Sequence, residues 1–404
     1  LSPKTIEIVK ATAPVLAEHG TTITSTMYRN MFSKHPELKE IFNQRHQVPD
    51  KGEQFGHQPV ALAQAVHAYA ANIDNLGALS AAVNRIAEKH VATTVQPEHY
   101  AIVGEQLLGA IKEILKEAAT EDIMTAWSEA YFFLANIFIN YEKDIREKRK
   151  AVPGGWEGLK DFKIEKKVQE AEDDSIVSFH LKPVDGGSVP LWSPGQYIGI
   201  RLNTDKGIIT RNYSLSCAPQ DQELRITVRY HDTPAGESFP VGAGSSWLHN
   251  LKEGSTVQLT VPCGDFNFVR PADDKPVVFL GLGVGITAIF PMVVDVLENS
   301  PNKVIILQGA RNPSSIAFRQ QFEALQEKYP ERLEYKAYFK SPPQASTLTP
   351  QVFSWDFIKT QIPLESHFYF TGPISWMKEV EKGLIAENVP RSEIHFEFFG
   401  PTLA

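Results

Sequence analysis

A glycine-rich turn at 281–285 is one of two segments whose residue types could do chemistry. Apolar residues 277–280 lead into the run G-L-G-V-G at 281–285, and a helical pattern follows from Ile286. Glycines allow a backbone to approach a pyrophosphate closely, and a helix N-terminus stabilises its negative charge. A tight strand-to-helix turn without a ligand uses the same glycines, so the spacing by itself is weak evidence for a nucleotide site.

His90 is the second candidate for chemistry. Val83, Ile86, Ala87 and His90 share one face of the helical segment 80–90, so an imidazole projects from an apolar surface. A neutral imidazole can ligate haem iron, but a histidine of an ordinary protein core produces the same pattern. The first half of the chain also holds rival histidines, including His19, His35, His57, His67 and His99.

The elements that position these residues change character along the chain. Residues 1–150 have apolar positions at helical spacing and predict an all-α domain, in which Pro14, Pro36, Pro59 and Pro97 are expected at helix starts. Residues 151–270 alternate with period two and predict an antiparallel β-barrel. Residues 271–404 alternate apolar strands with amphipathic helices, which predicts a parallel-sheet α/β domain.

Composition narrows the classes of protein that fit. A chain of 404 residues exceeds one usual domain, and the net charge of -8 disfavours nucleic acid as a partner. Two cysteines exclude a disulfide framework, so a reducing cytoplasm is expected, and the N-terminus lacks the pattern of a secretory signal. The uncharged run 277–294 is broken by glycines and Pro291, so no membrane insertion is predicted.

Several motifs of the last two predicted domains occur in an informative order. They are P-G-Q-Y at 194–197, R-N-Y-S at 211–214, P-C-G-D-F at 262–266, the glycine turn, and T-G-P at 371–373. This series resembles the ferredoxin–NADP reductase superfamily. The resemblance implies that Arg211 pairs with an FAD phosphate and that Tyr213 packs on the flavin, while Ser245 lies in a second phosphate turn.

The sequence departs from that superfamily at two positions. Ala288 stands where a proline usually follows the threonine of the glycine turn, and Thr371 stands where many members have a cysteine beside the nicotinamide. The first change should matter little to phosphate binding. The second removes a polarizable group near the hydride path, so the sequence defines nicotinamide positioning less well than flavin binding.

The helical region resembles the globin domain of flavohaemoglobins. The resemblance is carried by Tyr28, Phe42, Gln58, Lys89-His90 twenty-eight residues after Leu62, P-E-H-Y at 97–100, Trp127 and Glu142, and it continues to E-F-F-G-P at 397–401. It therefore covers essentially the whole chain, and implies a haem domain at 1–150, an FAD domain at 151–270 and an NAD(P) domain at 271–404.

The resemblance assigns roles around the iron of haem b. It implies that His90 is the metal ligand, that Tyr100 and Glu142 are its proximal partners, and that Tyr28 and Gln58 are distal hydrogen-bond donors. Phe42 and Leu62 are expected to close the pocket, and Lys89 and Glu397 to tune electron transfer. Residues 47–55 look like an insertion, and a shift of one residue there would exchange Gln58 for His57.

The resemblance also assigns the two nucleotide sites. The expected flavin contacts are Tyr197, Arg211, Asn212, Tyr213, Ser214, Ser245, Glu397, Phe398, Phe399, Gly400 and Pro401. The expected NAD(P) contacts are Gly283, Val284, Gly285, Ile286, Thr287, Ala288, Thr371, Gly372 and Pro373. Arg311 is placed to meet the adenosine ribose or its phosphate, which leaves the choice between NADH and NADPH open.

Nitric oxide dioxygenation is the function that the resemblance implies. Electrons would pass from NAD(P)H through FAD to haem, where NO and O2 combine to give nitrate. Open alternatives are reduction of lipid hydroperoxides, oxygen carriage or sensing, and a ferric or quinone reductase with a vestigial globin. A monomer is expected whose partners are O2, NO and NAD(P)H, with room for a lipid or azole-type ligand in the distal pocket.

Overall fold

The first third of the chain is a bundle of five α-helices. In this computed structural model the described residues are 1–204, 207–219, 223–231, 242–342 and 348–399. The helices are α1 (Pro3–Lys34), α2 (His57–Ala71), α3 (Ser80–Ala92), α4 (Pro97–Leu115) and α5 (Glu121–Ala151), with short 3-10 turns at Pro36–Glu40, Gln44–Gln47, Leu76–Leu79 and Lys116–Ala118. Helix α1 packs against α2, α4 and α5.

Local sequence signals explain most of these helix ends. The Ser2 hydroxyl accepts from the Thr5 N–H at the start of α1, and Pro97 occupies the first turn of α4, where its missing N–H costs nothing. The expectation that Pro14 begins a helix is wrong, because it lies inside α1. There the loss of one backbone hydrogen bond is offset by the buried apolar face that includes Val9 and Ile23.

An antiparallel barrel follows the bundle. Its strands are β1 (Lys160–Gln169), β2 (Ile176–Pro183), β3 (Tyr197–Thr204), β4 (Gly207–Ser214), β5 (Leu224–Arg229) and β6 (Thr256–Leu259), with α6 (Ala243–Asn250) before β6. The strand order is β4-β3-β6-β1-β2-β5, and a bridge between Leu215 and Ile226 joins the two ends of the sheet. This bridge, just after β4, brings the two outer strands together and closes the barrel at that point.

The last part of the chain is a parallel sheet covered by helices. The order is β11-β10-β7-β8-β9, from strands β7 (Val277–Leu282), β8 (Val304–Ala310), β9 (Leu333–Phe339), β10 (His367–Thr371) and β11 (Ile394–Phe396). The helices are α7 (Ile286–Asn299), α8 (Arg319–Lys328), α9 (Trp355–Ile358) and α10 (Ile374–Ala386), with 3-10 turns at Gly283–Gly285, Pro313–Ser315 and Arg391–Glu393. The predicted fold class is confirmed for all three parts.

The uncharged run at 277–294 forms a strand, a turn and a helix start. Strand β7 is buried at the centre of the parallel sheet, and Pro291 lies within α7. Among the described helices, none is long and apolar enough to cross a membrane.

Candidate active site

One cavity of about 840 Å³ lies between the helical bundle, the barrel and the C-terminal tail. It brings together many of the residues that the sequence singled out. They are Tyr28, Phe42, Gln58, Leu62, Lys89, His90, Tyr100, Tyr197, Arg211, Asn212, Tyr213, Ser214, Ser245, Val284, Thr287, Glu397, Phe398 and Phe399. Residues separated by hundreds of positions in the chain thus line one cavity.

His90 forms the centre of the proximal wall, near the end of α3. Its Nδ1 lies 2.7 Å from Glu142 Oε1 and 2.9 Å from the Tyr100 hydroxyl. A carboxylate only accepts hydrogen bonds, so the proton belongs on Nδ1 and the lone pair on Nε2. Among the described residues none bonds to Nε2, and the ring lines the cavity. A ring oriented in this way fits a ligand of haem iron.

The Glu142 carboxyl group is fully buried, and its partners explain how this is tolerated. Oε1 accepts from both His90 and the Tyr100 hydroxyl, and Oε2 lies 3.5 Å from Arg146 NH2 one turn later in α5. Burial and the nearby carboxylate raise the pKa of Tyr100, so the phenol keeps its proton and remains a donor. The Tyr131 hydroxyl in turn donates to the Tyr100 carbonyl at 2.6 Å.

The distal wall carries two polar groups in apolar surroundings. Gln58 Nε2 donates to the Tyr28 hydroxyl oxygen at 3.2 Å, and burial raises the pKa of Tyr28. The Phe42 ring meets Tyr28 edge-on with centroids 5.6 Å apart, and Leu62 packs on the same cluster. Because no described residue accepts the Tyr28 proton, that hydroxyl is left to donate into the cavity.

His57 faces away from this pocket. Its Nε2 lies 3.2 Å from both Asp50 Oδ2 and Glu53 Oε2 at the protein surface. Gln58, one residue later at the start of α2, lines the cavity instead. Two acids of the segment 47–55 therefore engage His57, and Gln58 is the residue of this pair that lines the cavity.

Arg211 and Tyr213 of β4 line the part of the cavity where the resemblance places the flavin, called the flavin end below. Gly244 of α6 allows both side chains to approach, since a Cβ there would lie 3.0 Å from Arg211 Cγ and 3.3 Å from the Tyr213 hydroxyl. Arg211 NH1 donates to the Thr210 carbonyl at 2.8 Å, and none of the described acids forms an ion pair with it. Burial lowers the pKa of Arg211. A half-buried cation without an acid partner fits a phosphate ligand.

Other expected flavin contacts surround this pair. The Ser245 hydroxyl donates to the Gly242 carbonyl at 3.0 Å at the start of α6, and Tyr197 is buried in the wall beside β6. Phe398 is buried, whereas Phe399 is 43% exposed and lines the cavity. An exposed aromatic ring in a cavity wall can stack on a planar ligand. Gly400 and Pro401 lie outside the described residues.

Glu397 and Lys89 both line the cavity, and their charges act on each other. Burial raises the pKa of Glu397 to about 8, and the positive charge of Lys89 partly opposes this. Burial lowers the pKa of Lys89, which lies next to His90 on α3. The second carboxylate oxygen of Glu397 is buried without a hydrogen bond. A polar group in that state is suited to a ligand that supplies a donor.

The glycine turn packs directly against the segment T-G-P at 371–373. A Cβ on Gly285 would lie 2.4 Å from the Thr371 carbonyl oxygen, and the Thr371 hydroxyl donates to the Gly285 carbonyl at 2.5 Å. Gly283 has φ +63, a conformation that glycine adopts without strain. Val284 and Thr287 line the cavity, whereas Ile286 and Ala288 are fully buried and do not line it. Gly372 and Pro373 precede α10.

Arg146 was missed by the sequence reasoning. It lies one helical turn after Glu142, and such i, i+4 pairs of opposite charge are a readable signal. Its guanidinium also donates to the Val95 carbonyl, which fixes the loop after α3. No pattern in the sequence reveals that second contact, because it depends on how two helices pack.

Three protein families match successive parts of the chain. The globin family matches residues 25–137, the oxidoreductase FAD-binding domain matches 161–268, and the oxidoreductase NAD-binding domain matches 279–382. These ranges follow the order of bundle, barrel and parallel sheet. The chain is therefore an oxidoreductase with domains for FAD and NAD.

Similar proteins have the same full-length organisation. The flavohemoproteins of Halalkalibacterium halodurans and Rhizobium meliloti are 39% and 38% identical, over 99% and 100% of this chain and 97% and 99% of theirs. The flavohemoglobin of Malassezia yamatoensis, solved with bound FAD and heme, superposes with a TM-score of 0.81 at 24% identity, over 99% of this chain and all of that one.

A partial structure matches the reductase half. The flavohem-like FAD/NAD-binding domain of nitric oxide dioxygenase from Vibrio cholerae is 31% identical, with a TM-score of 0.53 over 60% of this chain and 99% of that one. The full-length similarity, the domain order and the cavity between bundle, barrel and C-terminal tail all agree with the resemblance drawn from the sequence. This chain belongs to the flavohemoprotein family.

Proposed function

We propose that the protein is a nitric oxide dioxygenase that uses NAD(P)H, FAD and haem b. The observation that carries the proposal is one cavity whose wall contains a carboxylate-bonded histidine, the hydrogen-bonded pair Tyr28 and Gln58, and an arginine that forms no ion pair with any described acid. When bound, the flavin converts the electron pair of a nicotinamide into single electrons, and the haem supplies the iron at which O2 and nitric oxide combine to nitrate.

The proximal residues act on the ligand nitrogen of His90. Glu142 and Tyr100 fix the ring orientation and hold the proton on Nδ1, and the carboxylate increases the electron density of the imidazole. Strong proximal donation favours oxygen activation over reversible oxygen carriage. This arrangement supports a dioxygenase over a carrier or sensor.

The distal residues act on the small-molecule ligand. Tyr28 donates a hydrogen bond to bound ligand, and Gln58 holds the phenol oxygen so that its hydrogen points inward. Phe42 and Leu62 exclude water from this side of the cavity. Two polar groups in an otherwise apolar wall suit diatomic substrates, and a bulky hydroperoxide would need room past those two side chains.

The flavin and nicotinamide residues complete the proposed assignment. Arg211 binds an FAD phosphate, Tyr213 and Phe399 contact the flavin, and Lys89 and Glu397 tune the passage of electrons between the two ends. We place the haem domain at 1–150, the FAD domain at 151–270 and the NAD(P) domain at 271–404. Similarity to the Vibrio cholerae protein, named as a nitric oxide dioxygenase, supports this activity.

The test is aerobic consumption of NO by purified holoenzyme with NADH, with nitrate counted against NADH oxidised. Each nitrate requires one electron, so we expect two nitrates for each NADH. The variant His90→Ala serves as a control that should lose haem absorbance and NO consumption together. Consumption no faster than that of free haem would reject the proposal.

The same preparation separates the alternatives. Faster NADH oxidation with a lipid hydroperoxide than with NO would favour reduction of lipid hydroperoxides as the function. Tight reversible O2 binding without NO turnover would favour a carrier or sensor. Rapid reduction of ferric chelates or quinones by a protein that does not hold haem would leave a reductase with a vestigial globin.

A further inference from the structure

A second buried carboxylate, Glu88, lies on the proximal helix but is not used by the proposed reaction. Its side chain is 8% exposed and sits two residues before His90 on α3. Arg149 NH2 donates to both of its oxygens, at 2.8 and 3.1 Å, and the Gly264 N–H donates to Oε2 at 2.9 Å. The carboxylate thus joins the bundle to a barrel segment far along the chain.

Arg149 strengthens the same junction from the last turn of α5. Its other terminal nitrogen, NH1, donates to the Pro262 carbonyl. Glu88 and Arg149 together therefore engage the backbone on both sides of Cys263, in the segment that follows β6. These contacts have direction as well as charge, so they favour one arrangement of helix and barrel over its neighbours.

The barrel segment that receives these contacts is tied to the wall of the cavity. Tyr197 and Cys263 exchange two backbone hydrogen bonds, at 2.9 and 2.8 Å, and Tyr197 lines the flavin end. Gly264 has φ +119, and a Cβ there would lie 2.9 Å from the Tyr197 ring. A displacement of Gly264 would therefore move or unseat Tyr197.

Apolar packing brings α3 and the barrel together around this point. One hydrophobic cluster contains Ala87, Val91 and Ala92 of α3 as well as the core of the barrel. A Cβ on Gly199 of β3 would lie 1.8 Å from the Ala92 carbonyl oxygen, so backbone meets backbone here. Such packing is strong but has little direction, and it leaves the exact alignment to polar contacts.

We propose that Glu88, held by Arg149, is a positioning residue that aligns the proximal helix with the flavin wall and thereby sets the rate of electron transfer from flavin to haem. The inference rests on the proposed electron path but not on NO as substrate. Glu88 itself contacts neither end of the cavity. It acts through Gly264 and Tyr197 on one side and through the α3 backbone on the other.

The experiment separates the two electron-transfer steps in holoenzyme without oxygen or NO. NADH is mixed with protein under carbon monoxide, flavin bleaching reports hydride transfer, and the Soret change reports haem reduction. We expect Glu88→Gln and Arg149→Gln each to slow haem reduction by about 10- to 100-fold, since small displacements cost that much, and to leave hydride transfer unchanged. The double variant should be no slower than either single one, because both break the same contact.

Two further measurements exclude a general loss of structure. The variant Glu157→Gln removes an exposed ion pair with Lys150 at the same junction and should leave both steps unchanged. Hydrogen exchange of the peptide that contains 262–266 should accelerate in the Glu88 and Arg149 variants, with or without bound cofactors. The stretching frequency of the iron–histidine bond should not move, because Glu142 is intact.

Several outcomes would overturn the inference. Unchanged haem reduction in both single variants, equal slowing of hydride transfer, or the same slowing in Glu157→Gln would each contradict it. If Glu88→Gln does not retain both cofactors, Arg149→Gln gives the answer by the same criteria. A wild-type protein that fails to consume NO would reject the proposed function and leave this transfer rate measurable.

Discussion

The two ends of the cavity treat their polar groups in opposite ways. At the haem end, His90, Tyr100 and Glu142 bond to one another, and Arg146 covers the remaining carboxylate oxygen. At the proposed flavin end, the only hydrogen-bond partner of Arg211 among the described residues is the carbonyl of its neighbour Thr210. The polar groups of the haem end therefore satisfy one another, whereas Arg211 at the other end forms no ion pair with a described acid.

Under the proposed assignment, the difference follows from what each end would hold. A metal needs one nitrogen in a fixed orientation, which a closed network of hydrogen bonds provides before the ligand arrives. A phosphate brings its own negative charge, so the site has to present a cation that is not already neutralised. The proposed assignment can therefore be tested with substitutions at each end. A change at the flavin end should weaken FAD binding, and a change at the haem end should alter the iron–histidine bond.

The largest effect is expected at the flavin end. Arg211→Ala should weaken FAD binding by about a hundredfold, because a charge-assisted contact to phosphate is lost. Gel filtration followed by flavin absorbance measures the retained FAD. Arg201→Ala is the matched control, since that arginine lies on the adjacent strand and already pairs with Glu40 at 2.8 Å. Full retention of FAD by the Arg211 variant would contradict the phosphate role.

A smaller loss is expected when the closed network is opened. Glu142→Gln should keep haem bound and slow NO turnover about tenfold, the low end for such partners, because Tyr100 still contacts His90. The ferrous iron–histidine stretch should move to lower frequency in resonance Raman spectra. Glu147→Gln, on the exposed side of the same helix, is the control. A stretch that stays in place would show that Glu142 does not act on the ligand.

The distal donors should give a smaller effect again. Tyr28→Phe removes one hydrogen bond to the ligand and should speed O2 dissociation about fivefold. Flash photolysis measures that rate, and the iron–histidine stretch should be the same as in the wild type. A change in the stretch would mean that the two walls of the haem end are coupled, contrary to the separate networks seen here.

Sequence patterns predicted elements well and contacts between elements poorly. The apolar strand before the glycine turn and the period-two strands of the barrel follow from local rules of burial, and both are present. The positions of Tyr28 and Glu142 came from the family resemblance, because no local rule connects residues more than a hundred positions apart. Glu88 gave no signal at all, since its partners Arg149 and Gly264 are specified only by the packing of α3 on the barrel.

The smallest effect concerns the point where the two ends meet. Glu397 is buried beside Lys89, with Asp265 and Arg85 also contributing charge, and burial raises its pKa from an ordinary value of 4.5 to about 8. Between these two values the folded protein holds a proton that the unfolded chain releases. Unfolding therefore releases a proton, and the free energy of unfolding falls as the pH rises from about 4.5 to about 8.

Glu397→Gln should remove this dependence, because the amide does not titrate. Thermal midpoints measured between pH 5 and pH 8 should fall with rising pH by a few degrees more in the wild type than in the variant, since about 1 kcal/mol shifts a midpoint by only ~2–4 °C in larger domains. Tyr197, whose ring also faces this carboxylate, keeps its proton throughout the range because burial raises its pKa well above 10.0. Parallel curves for the two proteins would show that Glu397 stays ionised in the folded protein. Lys89 and Glu397 would then form an ion pair, and the polar groups at this junction would satisfy one another as those of the haem end do.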